Sequence, residues 1–285
     1  MPVYRLFITF ILLCSFAQAK ELDLLPYPKT VLKTKGHFQF NSSLSFGYIK
    51  KEKKTAEFCA SLLRQSTGWK IAVKKQGKVL FSLNKKMAKE AYKLQISPKK
   101  IVIRASSHEG FFYGFQTLRQ LMPHSTWSKT VKKLQSFKIP SVEIEDYPRF
   151  PWRGVMIDVS RFFQTKDEML KLIDGMALCK LNRFHWHLTD DQGWRVEIKK
   201  YPKLTKISKQ FYTQAEIKEV VAYAKQRGIE VVPEIDIPGH SHKAVQAYPE
   251  LIGCFKDGKL RSNVYNPGKE STYIFLDNVI KELAS

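Results

Sequence analysis

Cysteine is scarce in this sequence, and its positions exclude a disulfide scaffold. The 285 residues include four cysteines, and no two of them have the CxxC spacing of a zinc or redox site. One of them, Cys14, lies in an N-terminal targeting segment, and the odd number that follows cannot all pair within one chain. We therefore expect the fold to depend on a hydrophobic core, for which the hydrophobic content of 44% is ordinary.

Long apolar runs are also missing, except at the start of the chain. Arg5 is the only charged residue in positions 1–19, LFITFILLCSFA follows it, and Ala17-Gln18-Ala19 fits a small-x-small cleavage site. The run is too short for a permanent transmembrane helix, which needs about 20 apolar residues. We predict that residues 1–19 are a cleaved signal peptide, that the protein is secreted or periplasmic, and that it has no stable membrane span.

Acidic residues are scarce in the first half of the chain. Residues 20–145 contain 25 Lys and Arg against 8 Asp and Glu, whereas residues 146–285 contain 22 against 18. A basic segment of this kind favours anionic polymers of the cell envelope as partners, although a lysine-rich solvated surface is the simpler explanation. Nucleic acid is not an expected partner, because no recognition motif accompanies the lysines and the signal peptide directs the chain away from it.

Residues 20–145 have the pattern of a small α+β domain. The β-rich runs EAYKLQI and KIVIRA are joined by Ser97-Pro98-Lys99-Lys100, which predicts a hairpin. TAEFCASLLRQSTG and EGFFYGFQTLRQLM place apolar residues at helical spacing, and these two runs predict the helices of the domain.

Residues 146–285 alternate regularly between strand and helix. RGVMIDVS, LNRFHWHLTD and GIEVVPEIDIP are predicted strands, and STYIFLDNVIKELA is the last predicted helix. Two further helices are predicted to begin at capping boxes, Thr165 with Glu168 and Thr213 with Glu216. This order predicts parallel β/α units, in which sites form at the carboxyl ends of the strands.

Polar residues follow each predicted strand. The first strand begins with Arg153 and carries Asp158, and the third carries Glu234 before Gly239-His240-Ser241-His242. On the second strand, side-chain alternation puts His185 and His187 on one face, with Asp190 at its end. Taken singly, each residue has a structural explanation, since Asp158 can cap the next loop and a lone strand histidine is usually a core residue. Together they indicate a functional centre, because buried charges are costly without partners.

A metal site and a hydrogen-bonded pocket are both compatible with these residues. Histidines two apart on one strand face can share an ion, which His240 or His242 would complete. The first strand offers no histidine, however, and Asp190-Asp191 is followed by Gln192-Gly193-Trp194-Arg195. This context favours the hydrogen-bonded pocket, so we expect no metal.

Three long motifs closely resemble family 20 glycoside hydrolases, the β-N-acetylhexosaminidases. They are YPRFPWRGVMIDVSRFF, KLNRFHWHLTDDQGWRVEIKKYPKLT and PEIDIPGHSHKAVQAYPEL, while LLPYPKTV, EAYKLQI and EGFFYGFQTLRQLMP resemble the small domain before that family's barrel. The resemblance implies a TIM (β/α)8 barrel and removal of terminal N-acetylglucosamine or N-acetylgalactosamine from glycans. It also implies a retaining, substrate-assisted mechanism in which the 2-acetamido oxygen attacks C1, without a cofactor.

The resemblance also assigns roles to individual residues. Arg153 resembles the arginine that holds the hydroxyls of the terminal sugar. Asp190 and His240 resemble the pair that hydrogen-bonds around the catalytic acid, with His187 beside them. Asp158 and Glu234 are expected to support this polar network.

One part of the family pattern is absent. The family's catalytic Asp-Glu pair lies at the end of the fourth barrel strand in a motif resembling HxGGDE, whereas the only Asp-Glu dipeptide here is Asp167-Glu168, at the start of a predicted helix. A complete barrel needs roughly 200–250 residues. We therefore expect residues 146–285 to form the first three β/α units of an incomplete barrel, in a truncated chain that is inactive alone. The alternatives are a noncatalytic protein that binds glycans or the envelope, and a metal hydrolase.

Overall fold

The computed structural model describes residues 22–49, 52–132, 134–254 and 260–285. The predicted signal peptide at residues 1–19 lies outside these ranges. Among the described residues, no helix has both the length and the apolar character required to cross a membrane.

The small domain is one sheet of seven strands with two helices packed against it. Its strands are β1 (Thr30–Asn41), β2 (Ser45–Tyr48), β3 (Ala72–Lys74), β4 (Val79–Leu83), β5 (Tyr92–Ile96), β6 (Ile101–Ala105) and β7 (Ser136–Asp146). The sheet order is β1-β7-β5-β6-β4-β2-β3. Its helices are α1 (Lys53–Thr67), α2 (His108–Gln120) and a 3-10 turn at His124–Trp127. The predicted hairpin is confirmed, because β5 and β6 pair antiparallel.

The core of this domain follows from the alternation of its strands. Phe46 of β2 and Phe81 of β4 point to the same side of the sheet and are fully buried. Phe115 and Phe111 of α2 pack on them, with ring centroids 6.1 and 5.7 Å apart respectively. Aromatic burial of this kind contributes about 1.5–3 kcal/mol for each ring.

The second domain begins with β8 (Gly154–Asp158), α3 (Lys166–Leu178), β9 (Arg183–His187), β10 (Thr189–Asp190) and β11 (Gly193–Trp194). It continues with α4 (Lys203–Ser208), α5 (Gln214–Gln226), β12 (Glu230–Glu234), α6 (His242–Ala247), β13 (Ile252–Cys254), β14 (Leu260–Tyr265) and α7 (Glu270–Leu283), with a 3-10 turn at Pro249–Leu251. Strands β8, β9 and β12 form a parallel sheet in the order β12-β9-β8. The three predicted β/α units are therefore present, and both predicted capping boxes form at the starts of α3 and α5.

Two charged groups of the second domain pack against the first, Lys180 buried and Arg153 partly buried. Arg153 donates to Glu90 Oε2 at 3.1 Å and to the Tyr113 hydroxyl at 3.2 Å. Lys180 Nζ donates to Asp146 Oδ2 at 2.9 Å. These contacts join the start of β8 and the end of α3 to the sheet of the small domain.

Candidate active site

Strand register brings three polar side chains to one edge of the parallel sheet. His187 is paired in register with Asp158 of β8 and with Glu234 of β12, so all three lie at the carboxyl ends of their strands. His187 Nδ1 lies 2.8 Å from Glu234 Oε1. His185 contacts the other oxygen of the same carboxylate, while Trp186, on the opposite face, is fully buried. The predicted alternation of β9 is confirmed.

Asp190 lies behind this edge in the short hairpin of β10 and β11. Its side chain is only 1% exposed, and its Oδ2 lies 3.2 Å from His187 Nε2. The backbone N–H of Asp191 donates to Asp190 Oδ1 at 2.6 Å. His187 therefore lies between two carboxylates, Glu234 on one ring nitrogen and Asp190 on the other.

The Gly-Trp-Arg part of the hairpin has a structural role. A Cβ atom at Gly193 would overlap the guanidinium of Arg195, so a larger residue there would displace that side chain. Arg195 is buried and donates to the carbonyls of Val159 and Ser160, at 3.1 and 2.7 Å. These bonds fix the loop after β8 against the hairpin that carries Asp190.

His240 lies at the solvent-exposed rim, in the loop after β12. Its Nδ1 lies 2.7 Å from Asp236 Oδ2 and 3.6 Å from Asp190 Oδ2, and its side chain is 53% exposed. The hydrogen bond with Asp236, and then the charge of Asp190, raise the pKa of His240 above its usual value. The structure therefore brings His240, His187 and Asp190 together, as the sequence predicted.

Arg161 is the site residue that the sequence interpretation missed. Its guanidinium contacts Asp158 and lies 2.6 Å from Asp190 Oδ2, while its side chain stays 43% exposed. Burial alone would raise the pKa of Asp158, but hydrogen bonds from the backbone and guanidinium of Arg161 and the charge of His187 hold it below its usual value. Asp158 also caps the loop, accepting from the backbone of Ser160 and Arg161 at 3.0 Å. The signal in the sequence was an arginine directly after the predicted strand RGVMIDVS, three residues beyond Asp158.

Arg153 is not brought to this cluster, contrary to the sequence-based expectation. It precedes the first residue of β8, whereas the cluster lies beyond the last residue of the same strand. Its side chain is 15% exposed, and its guanidinium bonds Glu90 and Tyr113 of the small domain. Arg153 is therefore placed to join the two domains and not to hold a sugar at the carboxyl ends.

Three groups of side chains have ligand atoms close enough to share a metal ion. Within each group the atoms lie within 4.8 Å of one another: Asp158, His187 and Asp190; His187, Glu234 and Asp236; Asp190, Asp236 and His240. In the first group the guanidinium of Arg161 already bonds both carboxylates. In the other two a histidine nitrogen already faces a carboxylate oxygen. The arrangement therefore fits a hydrogen-bonded polar pocket better than a metal centre.

A cavity of about 910 Å³ lies at a distance from this chemistry, between the small domain and the amino ends of β9 and β12. Its lining includes Tyr92, Arg183 and Glu230 but none of the residues of the carboxyl-end cluster. Its position does not change the assignment of the site, which depends on the converging charged side chains.

Comparison with known proteins agrees with this geometry. Residues 150–285 match the glycosyl hydrolase family 20 catalytic domain, and residues 21–147 match domain 2 of that family. A beta-hexosaminidase of Porphyromonas gingivalis is 36% identical over 93% of this chain and 37% of its own length. One of Vibrio furnissii is also 36% identical, over 94% of this chain and 47% of its own.

Solved structures give the same result. The N-acetyl-beta-hexosaminidase of Streptomyces plicatus, in complex with Thio-NAglucal, superposes with a TM-score of 0.82 and 34% identity. The match covers 92% of this chain and 56% of that one. Such neighbours imply a small N-terminal domain followed by a catalytic domain of the TIM-barrel type, although this chain spans less than half the length of the two bacterial relatives. The resemblance read from the sequence is confirmed, and the chain belongs to glycosyl hydrolase family 20.

Proposed function

We propose that this chain forms one wall of a β-N-acetylhexosaminidase site, which removes terminal N-acetylglucosamine or N-acetylgalactosamine from glycans. The observation that supports this most directly is the cluster of Arg161, Asp190, His187, Glu234 and His240 at the carboxyl ends of three parallel strands. Relatives that are hexosaminidases match the chain across both domains, and the Streptomyces plicatus neighbour is a complex with Thio-NAglucal.

Arg161 is the residue that we propose to hold the hydroxyls of the terminal sugar. Asp158 and Asp190 bind its guanidinium from the protein side and fix its orientation. The guanidinium is planar, and its exposed part is proposed to donate hydrogen bonds to two neighbouring hydroxyls. This role was predicted for Arg153, whose donors are turned to the small domain instead.

The histidines and Asp190 are proposed to control a proton on the catalytic acid. In the substrate-assisted reaction, the 2-acetamido oxygen bonds to C1 as the glycosidic C1–O bond breaks. The leaving oxygen takes a proton from a glutamic acid, and the resulting carboxylate then accepts a proton from the water that opens the oxazoline-like ring. His240 has a raised pKa and an exposed ring, so it is suited to donate a hydrogen bond to the carboxylate of that glutamic acid.

We propose that the catalytic acid is not among these 285 residues and that they do not hydrolyse glycosides alone. The single Asp-Glu dipeptide lies in the capping box of α3, where Glu168 bonds Thr165. Hydrolysis would need a fourth strand that carries the Asp-Glu pair, together with the other units that close a barrel around the sugar.

We further propose that the protein acts outside the cytoplasm, in the periplasm or the medium, as the apolar N-terminal segment suggests. The second candidate function is noncatalytic binding to glycans or to anionic envelope polymers. The excess of Lys and Arg in residues 20–145 favours it.

A chimera tests the proposal. Residues 22–285 are joined to the part of the Streptomyces plicatus enzyme that follows its matching segment. We expect the chimera to release p-nitrophenol from the p-nitrophenyl β-glycoside of N-acetylglucosamine, the 285-residue chain to release none, and Asp190→Asn in the chimera to lower kcat. Lys86→Ser, on the exposed surface of the small domain, is the matched control. A folded chimera without activity, or an active 285-residue chain, would contradict the proposal.

A further inference from the structure

Five lysines surround a shallow depression on the small domain, far along the chain from the proposed active site. The depression has a volume of about 880 Å³, and its lining contains no aspartate or glutamate. We call it the lysine cup and define it by its lysines: Lys74, Lys75, Lys78, Lys99 and Lys100. All five side chains are exposed.

The sheet holds the lysine cup in place. Strands β2, β4 and β6 are parallel neighbours, so the segments that lead into them converge at the same edge. Lys78 is fixed at this edge, because its N–H bonds Ser45 Oγ at 3.4 Å and its carbonyl accepts from Ile101 N–H at 2.8 Å. A Cβ atom at Gly77 would overlap the backbone of Gly47, so the loop that carries two of the lysines packs directly on β2. The positive charges are therefore presented on ordered backbone.

The charges of the lysine cup are not neutralised within the described residues. Lys78 Nζ donates to the neutral hydroxyl of Ser43 at 3.1 Å. The other four lysines form no ion pair among the residues that the structure describes. By contrast, Lys93 of the same sheet is paired with Glu145. Several like charges that converge without a carboxylate make a concave surface of positive potential, which attracts anions.

We propose that the lysine cup binds a polyanionic glycan through its repeated carboxylate, sulfate or phosphate groups. A glycan is favoured over a nucleic acid because the cup has no aromatic side chain for stacking bases, and its only apolar lining residues are Ile49 and Leu80. Lysine ammonium groups are point charges with rotatable donors, and they do not require the planar geometry that arginine recognises. The site would attach the protein to a charged polymer independently of the proposed hydrolysis.

Binding of the full chain to defined polymers tests this proposal. The probes are dextran sulfate and polygalacturonate, with neutral dextran as the uncharged control and oligo(dT) as the nucleic acid. We expect both anionic glycans to bind in low salt and neutral dextran not to bind. Because the Debye length falls from about 10 Å at 0.1 M salt to about 3 Å at 1 M, binding should be lost in 1 M NaCl.

A matched pair of variants distinguishes the effect of the lysine cup on binding from the effect of the overall charge of the protein. Lys75→Glu with Lys99→Glu reverses two charges in the lysine cup, whereas Lys85→Glu with Lys86→Glu reverses two exposed charges outside it. We expect the first variant to weaken dextran sulfate binding about tenfold or more, since each exposed charge contributes a few-fold, and the second to change it less than about twofold.

If both variants lost the same affinity for dextran sulfate, the net charge of the protein alone would explain the binding, and the proposed site would be overturned. Failure of the wild-type chain to bind either anionic glycan, or binding of oligo(dT) in preference to them, would also overturn it. Circular dichroism of each variant confirms that it is folded. None of these results depends on hydrolysis, so they are distinct from those of the chimera.

Discussion

Arg161 Nη2 lies 2.6 Å from Asp190 Oδ2, between the loop after β8 and the hairpin of β10 and β11. The side chain of Asp190 is almost completely buried, whereas that of Arg161 is 43% exposed. A buried anion thus holds a partly exposed cation in one orientation. Such preorganisation lowers the entropic cost of binding a polar ligand.

In the active chimera, Arg161→Met should lower kcat/KM about 100-fold. The change removes charged hydrogen bonds to the sugar, each worth about 1.5–3 kcal/mol, and a factor of 100 corresponds to about 2.7 kcal/mol. Arg161→Lys should recover only part of the loss, because an ammonium group cannot replace a planar guanidinium that bonds two carboxylates. Steady-state kinetics measure both variants. Full activity of Arg161→Met would contradict the proposal that Arg161 holds the hydroxyls of the sugar.

Arg153→Met should lower the stability of the folded protein and leave sugar binding nearly unchanged. It leaves Glu90 partly buried without its cation, and we expect the free energy of unfolding at pH 7 to fall by about 2–3 kcal/mol. Urea denaturation of the 285-residue chain measures this loss. In the chimera, kcat/KM should change much less than it does for Arg161→Met. A large loss of kcat/KM with unchanged stability would restore the role predicted from the sequence.

The effect of Arg153→Met should also depend on pH. Burial alone would raise the pKa of Glu90, but hydrogen bonds from Arg153 and Asn182 outweigh it and hold the pKa below its usual value. The folded protein therefore binds this proton less readily than the unfolded chain. The stabilisation is present above the unfolded pKa of about 4.3 and is lost as the pH falls through the folded value. The difference between wild type and variant should accordingly be larger at pH 7 than at pH 3.

Local sequence patterns were sufficient for much of this fold. Capping boxes predicted the starts of α3 and α5, because the reciprocal bonds of Thr165 with Glu168 and of Thr213 with Glu216 involve residues only three apart. Side-chain alternation predicted that His185 and His187 share one face of β9. These features depend on neighbours in the chain, so the chain order alone specifies them.

The role of one arginine and the features that depend on distant neighbours were not predicted. Arg153 and Arg161 flank the same strand, and the predicted position of the site at the carboxyl ends of the strands already favoured Arg161, whereas the role given to Arg153 came from the resemblance alone. The hydrogen bond of His240 with Asp236 needs a loop in which His240 has a φ of 52°. The lysine cup arises only because Lys78 and Lys100 precede strands that become parallel neighbours, β4 and β6. No spacing in the sequence encodes the loop of His240 or the lysine cup.

Lys180 provides a test of the contact between the two domains. Its ammonium group is buried and donates to Asp146 Oδ2 and to the Tyr92 hydroxyl, at 2.9 and 2.8 Å. Lys180→Met retains the volume but leaves the carboxylate without a cation, and it should lower the free energy of unfolding by about 3 kcal/mol.

The matched control for Lys180→Met is Lys93→Met. Lys93 also pairs with a carboxylate of β7, Glu145, but both of these side chains are about half exposed. An exposed pair contributes at most about 1 kcal/mol, so this variant should unfold at nearly the wild-type urea concentration. Equal losses for the two variants would mean that burial does not set the contribution of the Lys180 pair.

The titration of His240 is the most direct test of the site in the 285-residue chain. Because the pKa of His240 is raised by Asp236 and Asp190, its ring protons should titrate above the usual value of about 6.5 in an NMR pH series. Asp236→Asn removes the larger cause of the raised pKa and should lower the pH at the midpoint of the titration. Asp277→Asn, on helix α7, is the control and should leave this midpoint unchanged.

The same shift determines how stability depends on pH. The folded state binds the His240 proton more tightly than the unfolded chain, so the stabilisation is fully present below the unfolded pKa of about 6.5. It is lost as the pH rises from that value through the folded pKa. The difference in stability between wild type and Asp236→Asn should therefore narrow as the pH rises through this window, as measured by urea denaturation. A difference that instead widened would mean that His240 and Asp236 do not form the pair in solution.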